Sequence, residues 1–280
     1  MSDMTDSLLI ERIEVENSFP AGGVVEIWTI NRTDKLNALN SEVMNALKSA
    51  CNAAENDDDV RVIIIRGASP PAPDGDERQK PAAFVAGADI SEFVEKNSKQ
   101  IRNEFEDDAW EAIWNLSKPT IASIDGFALG GGSEVALSCD LRIATTRSNF
   151  GTPEINLGLI PGGGGTQRLT KLLGYGKAME MVMTGDIIPA NEAYRIGLVN
   201  RLCEPDDLQP MTMGLAMNLA SKSPHTIKVA KRAVRAALEL PMAEGVKYER
   251  DEFCALFDTE DKEIGVNAFL NRERPEWKGN

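Results

Sequence analysis

The chain has 280 residues, of which 42% are apolar and 26% charged, a composition typical of a globular enzyme of one or two domains. Its formal net charge of −14 makes nucleic acids and anionic membranes unfavourable partners. Apolar runs stay below the roughly 18 residues that a membrane span requires, and the acidic residues 1–17 resemble neither a secretory signal nor a transit peptide. We therefore expect a cytoplasmic protein that does not contact membranes.

The first part of the chain alternates predicted strands and helices. A β-rich run at 24–31 precedes a helical pattern at 41–56, and a β-branched run at 60–65 reads as a strand buried on both faces. The same order of strand, helix and strand returns at 120–124, 131–139 and 141–144. This rhythm is typical of an α/β core.

Helical patterns dominate the chain after about residue 166. Predicted helices lie at 166–173, 177–183, 190–196, 207–220, 224–240, 242–257 and 259–270. The residues alone thus indicate an α/β core of about 165 residues followed by a helical tail of about 110.

Residues 68–81 stand out from their surroundings by holding four prolines and mixed charge. Such a segment neither pairs in a sheet nor continues a helix, so we expect a mobile surface loop. The four cysteines, which lack Cys-x-x-Cys spacing, favour reduced core residues over disulfides or a zinc site. They are Cys51, Cys139, Cys203 and Cys254.

The first of two glycine motifs is Gly130-Gly131-Gly132-Ser133-Glu134, which opens a predicted helix. A helix N-terminus presents free N–H groups, and glycines let a ligand approach them closely. This arrangement suits an oxyanion, with Glu134 in the first helical turn. The alternative is an ordinary turn between strand and helix with a solvated glutamate.

In the second motif, Glu154 follows Pro153 in what we expect to be a rigid extended stretch. Four glycines at 162–165 then lead into a predicted helix, which argues against a flexible linker. Neither GxxxxGK[ST] nor GxGxxG is present, so a nucleotide-binding loop is not indicated.

The two glutamates together point to proton chemistry. Two carboxyl groups beside a glycine-lined slot suit a reaction that adds one proton and removes another, such as the addition of water to an activated double bond. Neighbouring carboxylates also disfavour double ionisation, which helps to keep one of them protonated. The single histidine, His225, offers no partners for a Ser-His-Asp triad or a metal cluster.

Several motifs make the chain resemble the crotonase superfamily, and the enoyl-CoA hydratases most closely. The resemblance runs from about residue 24 to the C-terminus, interrupted at 68–81. It is carried by Asn37-Ala38-Leu39, the AGADI segment at 86–90, Lys118-Pro119, GFALGGGSE at 126–134, Cys139-Asp140 and FGTPEINLGLIPGGGGTQRL at 150–169.

This resemblance implies a spiral of ββα units, with an α/β core holding the active site at residues 1–200 and a C-terminal helical trimerisation region at 201–280. The expected assembly is a homotrimer or a homohexamer built as a dimer of trimers. The substrate would be an acyl-CoA thioester, with CoA as part of the substrate and no metal or redox cofactor.

The resemblance also assigns roles to residues. The backbone N–H groups of Ala88 and Gly131 would hold the thioester oxygen, and Glu134 and Glu154 would handle water and the Cα proton. Arg272 is expected to come from a neighbouring subunit. The implied substrate contacts are Lys35, Ala86, Gly87, Asp89, Ile90, Gly130, Pro153, Gly162 and Arg272.

The leading hypothesis is a hydratase for short-chain 2-enoyl-CoA that also dehydrates 3-hydroxyacyl-CoA. A Δ3,Δ2-enoyl-CoA isomerase needs one general base, so the presence of both glutamates disfavours it. Decarboxylase and thioesterase relatives carry less weight. A non-enzymatic CoA-binding or RNA-binding scaffold would typically lack one of the glutamates, and the negative charge disfavours RNA.

Overall fold

The computed structural model describes residues 6–16, 22–70, 80–106 and 108–280, so residues 71–79 of the expected surface loop lie outside the described part. The strands in the described residues are β1 (Leu8–Glu14), β2 (Val24–Ile30), β3 (Val60–Gly67), β4 (Ala83–Val85), β5 (Thr120–Ile124), β6 (Phe127–Leu129), β7 (Leu141–Thr145), β8 (Asn149–Gly151), β9 (Ile188–Pro189) and β10 (Arg201–Cys203).

The helices are α1 (Ser41–Glu55), α2 (Ser98–Glu104), α3 (Ala109–Asn115), α4 (Gly131–Ser138), α5 (Gly165–Leu173), α6 (Tyr175–Thr184), α7 (Ala190–Arg195), α8 (Leu208–Ala220), α9 (Pro224–Ala236), α10 (Met242–Ala255) and α11 (Glu260–Asn271). Short 3-10 helices lie at Thr33–Lys35, Ile90–Phe93, Pro153–Leu157, Pro205–Asp207 and Leu256–Asp258. Among the described residues, no helix is both long and apolar enough to cross a bilayer.

Two sheets organise the fold. The larger has the order β1-β2-β3-β5-β7-β10, with β1 antiparallel to β2 and the other neighbours parallel. The smaller has the order β4-β6-β8-β9, with only the β8-β9 pair antiparallel. Three successive units, β3-β4, β5-β6 and β7-β8, each send one strand to each sheet and continue into helices. This is the spiral of ββα units that the resemblance implies.

Alternate side chains of the larger sheet enter two separate apolar cores. On β2, Trp28 and Ile30 pack in the core shared with α1, α3 and α4, whereas Val25 and Ile27 pack in the core covered by α8. All seven residues of β2 are buried, as are the first six of β3. The prediction of a strand at 60–65 that is buried on both faces is therefore confirmed.

Some sequence-based predictions are wrong in detail. The chain after residue 166 also contains β9 and β10, and β10 pairs with β7 in the larger sheet. Strands of two or three residues are too short to leave a periodic pattern. The segment carrying Glu154 is a 3-10 helix beginning at Pro153 rather than an extended stretch, because proline's fixed φ also suits the first residue of a helical turn.

The cysteine prediction holds for three residues and fails for one. All four thiols are free, but Cys254 is exposed on α10, while the other three are buried. The division into residues 1–200 and 201–280 stays a prediction. The second of these regions starts with β10, which still belongs to the larger sheet.

Candidate active site

The start of α4 forms one side of the candidate site. Strand β6 enters the helix through Gly130, whose φ of 51° and ψ of −126° are unfavourable for residues with a Cβ. The N–H of Gly130 donates to the carbonyl oxygen of Gly151 at 2.9 Å, which holds this turn against β8. All residues of α4 are buried, and Glu134 in its first turn is only 2% exposed. The predicted helix start and its carboxyl group therefore share one buried location.

The second glycine motif binds the carboxyl group of Glu134. Glu134 Oε1 accepts a hydrogen bond from the N–H of Gly165 at 2.9 Å, and the nearby Gly163 backbone also favours the ionised form of this carboxyl group. A Cβ on Gly165 would lie 2.9 Å from Oε1, so only glycine permits this approach. Burial raises the pKa of Glu134 to about 7, although the hydrogen bonds from the glycine turn oppose the rise.

Glu154 lies next to the same helix start. Its Oε1 is 3.0 Å from the position that a Cβ on Gly130 would occupy. Its Oε2 is buried and has no hydrogen-bond partner among the described residues. Burial raises the pKa of Glu154, and after burial the charge of Glu154 is the other influence that raises the pKa of Glu134. The charge of Glu154 therefore influences the protonation of Glu134.

Two backbone N–H groups lie close to each other near these carboxyl groups. The N–H of Leu39 donates to Gly87, and the N–H of Asp89 donates to Leu39, so the intervening N–H of Ala88 faces away from Leu39. The Ala88 N–H has no acceptor among the described residues. Gly131 is the first residue of α4, where an N–H lacks a partner within the helix. A Cβ on Gly131 would lie 3.7 Å from the Ala88 nitrogen, so the two backbone segments approach each other closely here.

The segment that carries Ala88 is fixed by Arg32, which the sequence analysis did not identify. Arg32 Nη2 contacts Asp89 Oδ2 at 3.0 Å, and Nη1 donates to Ala38 O at 2.6 Å. The Ser91 hydroxyl and the Arg32 guanidinium lower the pKa of Asp89. Asn37, which is buried, donates to Ala83 O at 2.8 Å. Because Arg32 and Asp89 are 57 residues apart, no local pattern reveals their ion pair.

Trp110, which packs against the larger apolar core, is a second contact that the sequence did not reveal. Its Nε1–H donates to Gly131 O at 3.0 Å, and its Cδ2 lies 2.4 Å from the position of a Cβ on Gly163. Its ring stacks on Phe105 with a centroid distance of 5.9 Å, and Phe105 in turn lies against Gly162. The small size of these glycines is therefore needed for the aromatic side chains as well as for the carboxyl groups.

The proposed substrate contacts fall into two groups. The first group is near the glutamates or near Ala88. Gly130 and Pro153 lie beside Glu154, Gly87 Cα lies 3.9 Å from the position of a Cβ on Gly130, and Ala86, Asp89 and Ile90 flank Ala88 along the chain. The second group is exposed. It contains Gly162, which lies just before α5, and Lys35, which ends the 3-10 helix at Thr33–Lys35. Arg272 is also exposed, at the C-terminal end of α11, and no contact among the described residues joins it to the glutamates. Contact with CoA stays a prediction for all of them.

Comparison with known proteins places this geometry in a family. The sequence profile described as enoyl-CoA hydratase/isomerase matches residues 21–280. The chain is 39% identical over 256 residues to the short-chain-enoyl-CoA hydratase of Clostridium acetobutylicum, covering 91% of this chain and 94% of that protein. It is 38% identical over 248 residues to the crotonyl-CoA hydratase of Syntrophomonas wolfei, covering 88% and 91% respectively.

A solved structure agrees with these relatives. The chain superposes on the crystal structure of an enoyl-CoA hydratase subunit I from Geobacillus kaustophilus with a TM-score of 0.87, 37% identity and full coverage of both chains. The resemblance drawn from the motifs and the expected spiral fold with its helical C-terminal region are thereby confirmed. The chain belongs to the enoyl-CoA hydratase/isomerase family of the crotonase superfamily.

Proposed function

We propose that the protein is an enoyl-CoA hydratase that adds water across the 2,3 double bond of short-chain 2-enoyl-CoA, such as crotonyl-CoA. The product is 3-hydroxyacyl-CoA, and the same site catalyses the reverse dehydration. The observation that carries this proposal is the placement of two interacting carboxyl groups, Glu134 and Glu154, beside the free N–H groups of Ala88 and Gly131.

The chemistry requires each of these groups. When water attacks Cβ, negative charge moves to the thioester oxygen, and the N–H groups of Ala88 and Gly131 stabilise the enolate. One glutamate, in its ionised form, removes a proton from water. The other, in its protonated form, delivers a proton to Cα. No metal or redox step is needed, and CoA serves as part of the substrate.

The raised pKa of Glu134 supports a carboxyl group that can exchange a proton near neutral pH. Burial raises the pKa of both glutamates, and it brings the pKa of Glu134 to about 7. A general acid and a general base work best when their pKa values lie near the operating pH. We therefore propose the acid and base roles for the two glutamates as a pair, without assigning one role to each residue.

The family also suggests an isomerase that moves a double bond from the 3,4 to the 2,3 position. That reaction needs a single general base, and a second buried carboxyl group would then have no role to offset the cost of its burial. The pair of glutamates therefore favours hydration over isomerisation.

The test is hydration of crotonyl-CoA by the purified full-length protein, followed by the loss of absorbance of the conjugated thioester. We expect turnover with this substrate, and decreasing kcat/KM along a series of 2-enoyl-CoA substrates from C4 to C16. 3-Hydroxypropionyl-CoA tests the dehydration direction, and a 3-enoyl-CoA tests isomerisation. Isomerisation without hydration would overturn the proposal.

We also propose that the protein works in the cytoplasm as a homotrimer or a dimer of trimers. In the single chain, α10 and α11 expose large apolar side chains, including Phe253, Phe269 and Leu270. Burial of such side chains between copies of the chain is favourable. The free thiols of Cys51, Cys139 and Cys203 agree with a reducing compartment.

A further inference from the structure

An array of charged and aromatic side chains connects α9 with the glycine turn that binds Glu134. Asp140 Oδ1 accepts a hydrogen bond from Arg235 at 2.8 Å, and its Oδ2 lies 2.7 Å from Lys231 Nζ and 2.9 Å from the N–H of Thr120. The Arg235 guanidinium lies 4.0 Å from the ring centroid of Trp114. This end of the array is therefore anchored to β5 and to α9.

The same indole ring also binds a second guanidinium group. Arg168, on α5, has its guanidinium carbon 4.7 Å from the Trp114 centroid, and its side chain is only 13% exposed. Two cations near one aromatic ring repel each other, so the contact is retained only if the ring and the neighbouring anions offset this cost. Asp140 balances Arg235, and the more exposed Glu111 lies 3.6 Å from Arg168.

Arg168 reaches the catalytic turn directly. Its Nη1 donates to the carbonyl oxygen of Gly163 at 2.6 Å, and the same nitrogen lies 2.3 Å from the position of a Cβ on Gly164. The guanidinium group contacts the same glycine turn whose Gly165 N–H donates to the Glu134 carboxyl group. A displacement of Arg168 would therefore move the hydrogen-bond donors of Glu134.

We propose that Arg168 is a positioning residue for Glu134, which holds the turn at residues 163–165 in the orientation that binds the carboxyl group and is itself held by Trp114. This inference rests on the proposed hydratase function, since the reaction is what would report the position of Glu134. Arg235, on α9, contacts the same Trp114 ring as Arg168, so α9 would also help to position Glu134 of its own chain.

The charge of Arg168 has a second consequence at Glu134. The groups that influence the ionisation of Glu134 are the Gly163 and Gly165 donors, the neighbouring Glu154 and the Arg168 cation, which lowers the pKa. The charges that face Arg168 are Glu134, Glu111 and Asp108, with Arg235 as the like charge. Loss of the cation should therefore raise the pKa of Glu134 further.

The experiment measures kcat and KM for crotonyl-CoA across pH in the wild type and in Arg168→Met, Arg168→Lys and Arg168→Gln. We expect Arg168→Met to lower kcat by roughly 10-fold to 100-fold, the cost of a small misplacement of a catalytic group, with little change in KM. The apparent pKa of the kcat profile should move upward. Arg168→Lys should restore the position of the profile but not the full kcat, because lysine keeps the charge without the planar fork.

The control is Arg195→Met, which removes an equal charge from a side chain that is 72% exposed and paired with Glu192 on the surface. An Arg168→Met protein whose kcat and pH profile match this control would overturn the inference. A loss of activity with an unshifted profile would also overturn it, because it would indicate a purely structural role. If Arg168→Met fails to fold, Arg168→Lys is compared with Arg168→Gln. Only Arg168→Gln should shift the pH profile of kcat, and equal profiles in the two variants would contradict the proposal.

The two proposals fail in distinguishable ways. A wild-type protein that does not hydrate crotonyl-CoA would overturn the proposed function and this inference with it. An active wild type with unaffected Arg168 variants would overturn the inference alone. Trp114→Leu adds a further check: its effect and that of Arg168→Met should be strongly non-additive, whereas additive effects would show that Trp114 does not act through Arg168.

Discussion

The two glutamates are held by very different parts of the molecule. Glu134 belongs to a helix in which every residue is buried, and the glycine turn donates hydrogen bonds to its carboxyl group. Glu154 belongs to a single turn of 3-10 helix near the surface, where the neighbouring apolar side chains Ile155 and Leu157 are exposed. Its buried Oε2 has no hydrogen-bond partner among the described residues.

Two neighbouring carboxyl groups therefore differ in their hydrogen bonding: Glu134 accepts a hydrogen bond from the glycine turn, whereas one oxygen of Glu154 has no donor among the described residues. Donors to Glu134 favour its ionised form and oppose part of the effect of burial. Glu154 Oε2 is buried and accepts no hydrogen bond from the described residues, which leaves this oxygen available to substrate or water. Four expected outcomes test this comparison, beginning with the largest effect.

Removing the ionisable oxygen from either glutamate should abolish most of the activity. Glu134→Gln and Glu154→Gln should each lower the rate of crotonyl-CoA hydration by roughly 10²–10⁴-fold, the range for the loss of general acid–base catalysis. Glutamine keeps the size and one acceptor oxygen, so the hydrogen bond from Gly165 can persist. CoA binding, measured by calorimetry, should survive in both variants. Turnover near that of the wild type in either one would show that a single carboxyl group suffices.

Activity should depend nearly as strongly on the backbone N–H of Gly131, the first residue of α4, as on the two glutamates. Gly131→Pro removes the N–H proposed to bind the thioester oxygen, and proline is well tolerated at the first position of a helix. Gly131→Ala is the matched control, because both changes add a Cβ 3.3 Å from Leu39 Cδ1 and Trp110 Cζ2. We expect Gly131→Pro to be slower than Gly131→Ala by roughly 10²–10³-fold in kcat. Equal rates would mean that the oxyanion donors lie elsewhere.

The location of both carboxyl groups could be predicted from sequence because of the glycines. A carboxyl group that approaches a backbone as closely as Glu134 approaches Gly165 leaves room for no side chain, and this requirement is visible in the sequence itself. The large elements could be predicted for a similar reason. The apolar periodicity of α1 and the β-branched composition of β3 are local properties.

The residues near the glutamates that the sequence does not predict make contacts that no local pattern encodes. Arg168 lies in a recognisable motif, but a charged residue on a helix is normally solvated, and only the fold brings Trp114 to it. Trp110 has the spacing of a core residue, yet its indole N–H bonds to Gly131. The strands β4, β6 and β8 have three residues each, so their pairing in the smaller sheet is decided by tertiary packing.

The burial of Glu134 should also appear in the pH dependence of stability. Its pKa is raised from 4.5 to about 7, so the stability associated with the protonated carboxyl group is present below pH 4.5 and is lost as the pH rises through 7. Glu134→Gln removes this loss. Its melting temperature should therefore rise relative to the wild type between pH 4.5 and 8, by the equivalent of about 3 kcal/mol at most.

Glu154→Gln sharpens this comparison of the two carboxyl groups. Burial raises the pKa of Glu154 too, so its variant should change in the same direction, but Glu154 is less buried than Glu134. A smaller rise in melting temperature is expected for Glu154→Gln. A pH-independent difference between Glu134→Gln and the wild type would mean that Glu134 is not protonated near neutral pH in the folded protein.

The smallest effect tests whether the helical region supplies part of the substrate site. Light scattering should give three or six times the chain mass of 30.5 kDa, and a value near 30.5 kDa would contradict the assembly. Arg272→Ala should weaken CoA binding by about twofold to fivefold, which is the range for an exposed ion pair. The change should appear in the affinity for CoA measured by calorimetry, with kcat unaltered.

The backbone at Arg272 provides the controls for that measurement. Its φ of 59° and ψ of 39° place it in the left-handed region at the end of α11, where glycine is more favourable than alanine. Arg272→Gly should therefore raise the melting temperature relative to Arg272→Ala while weakening CoA binding equally. Arg272→Lys keeps the charge and should bind CoA nearly as well as the wild type. If affinity followed the melting temperature instead of the charge, Arg272 would be a helix-capping residue with no part in CoA binding.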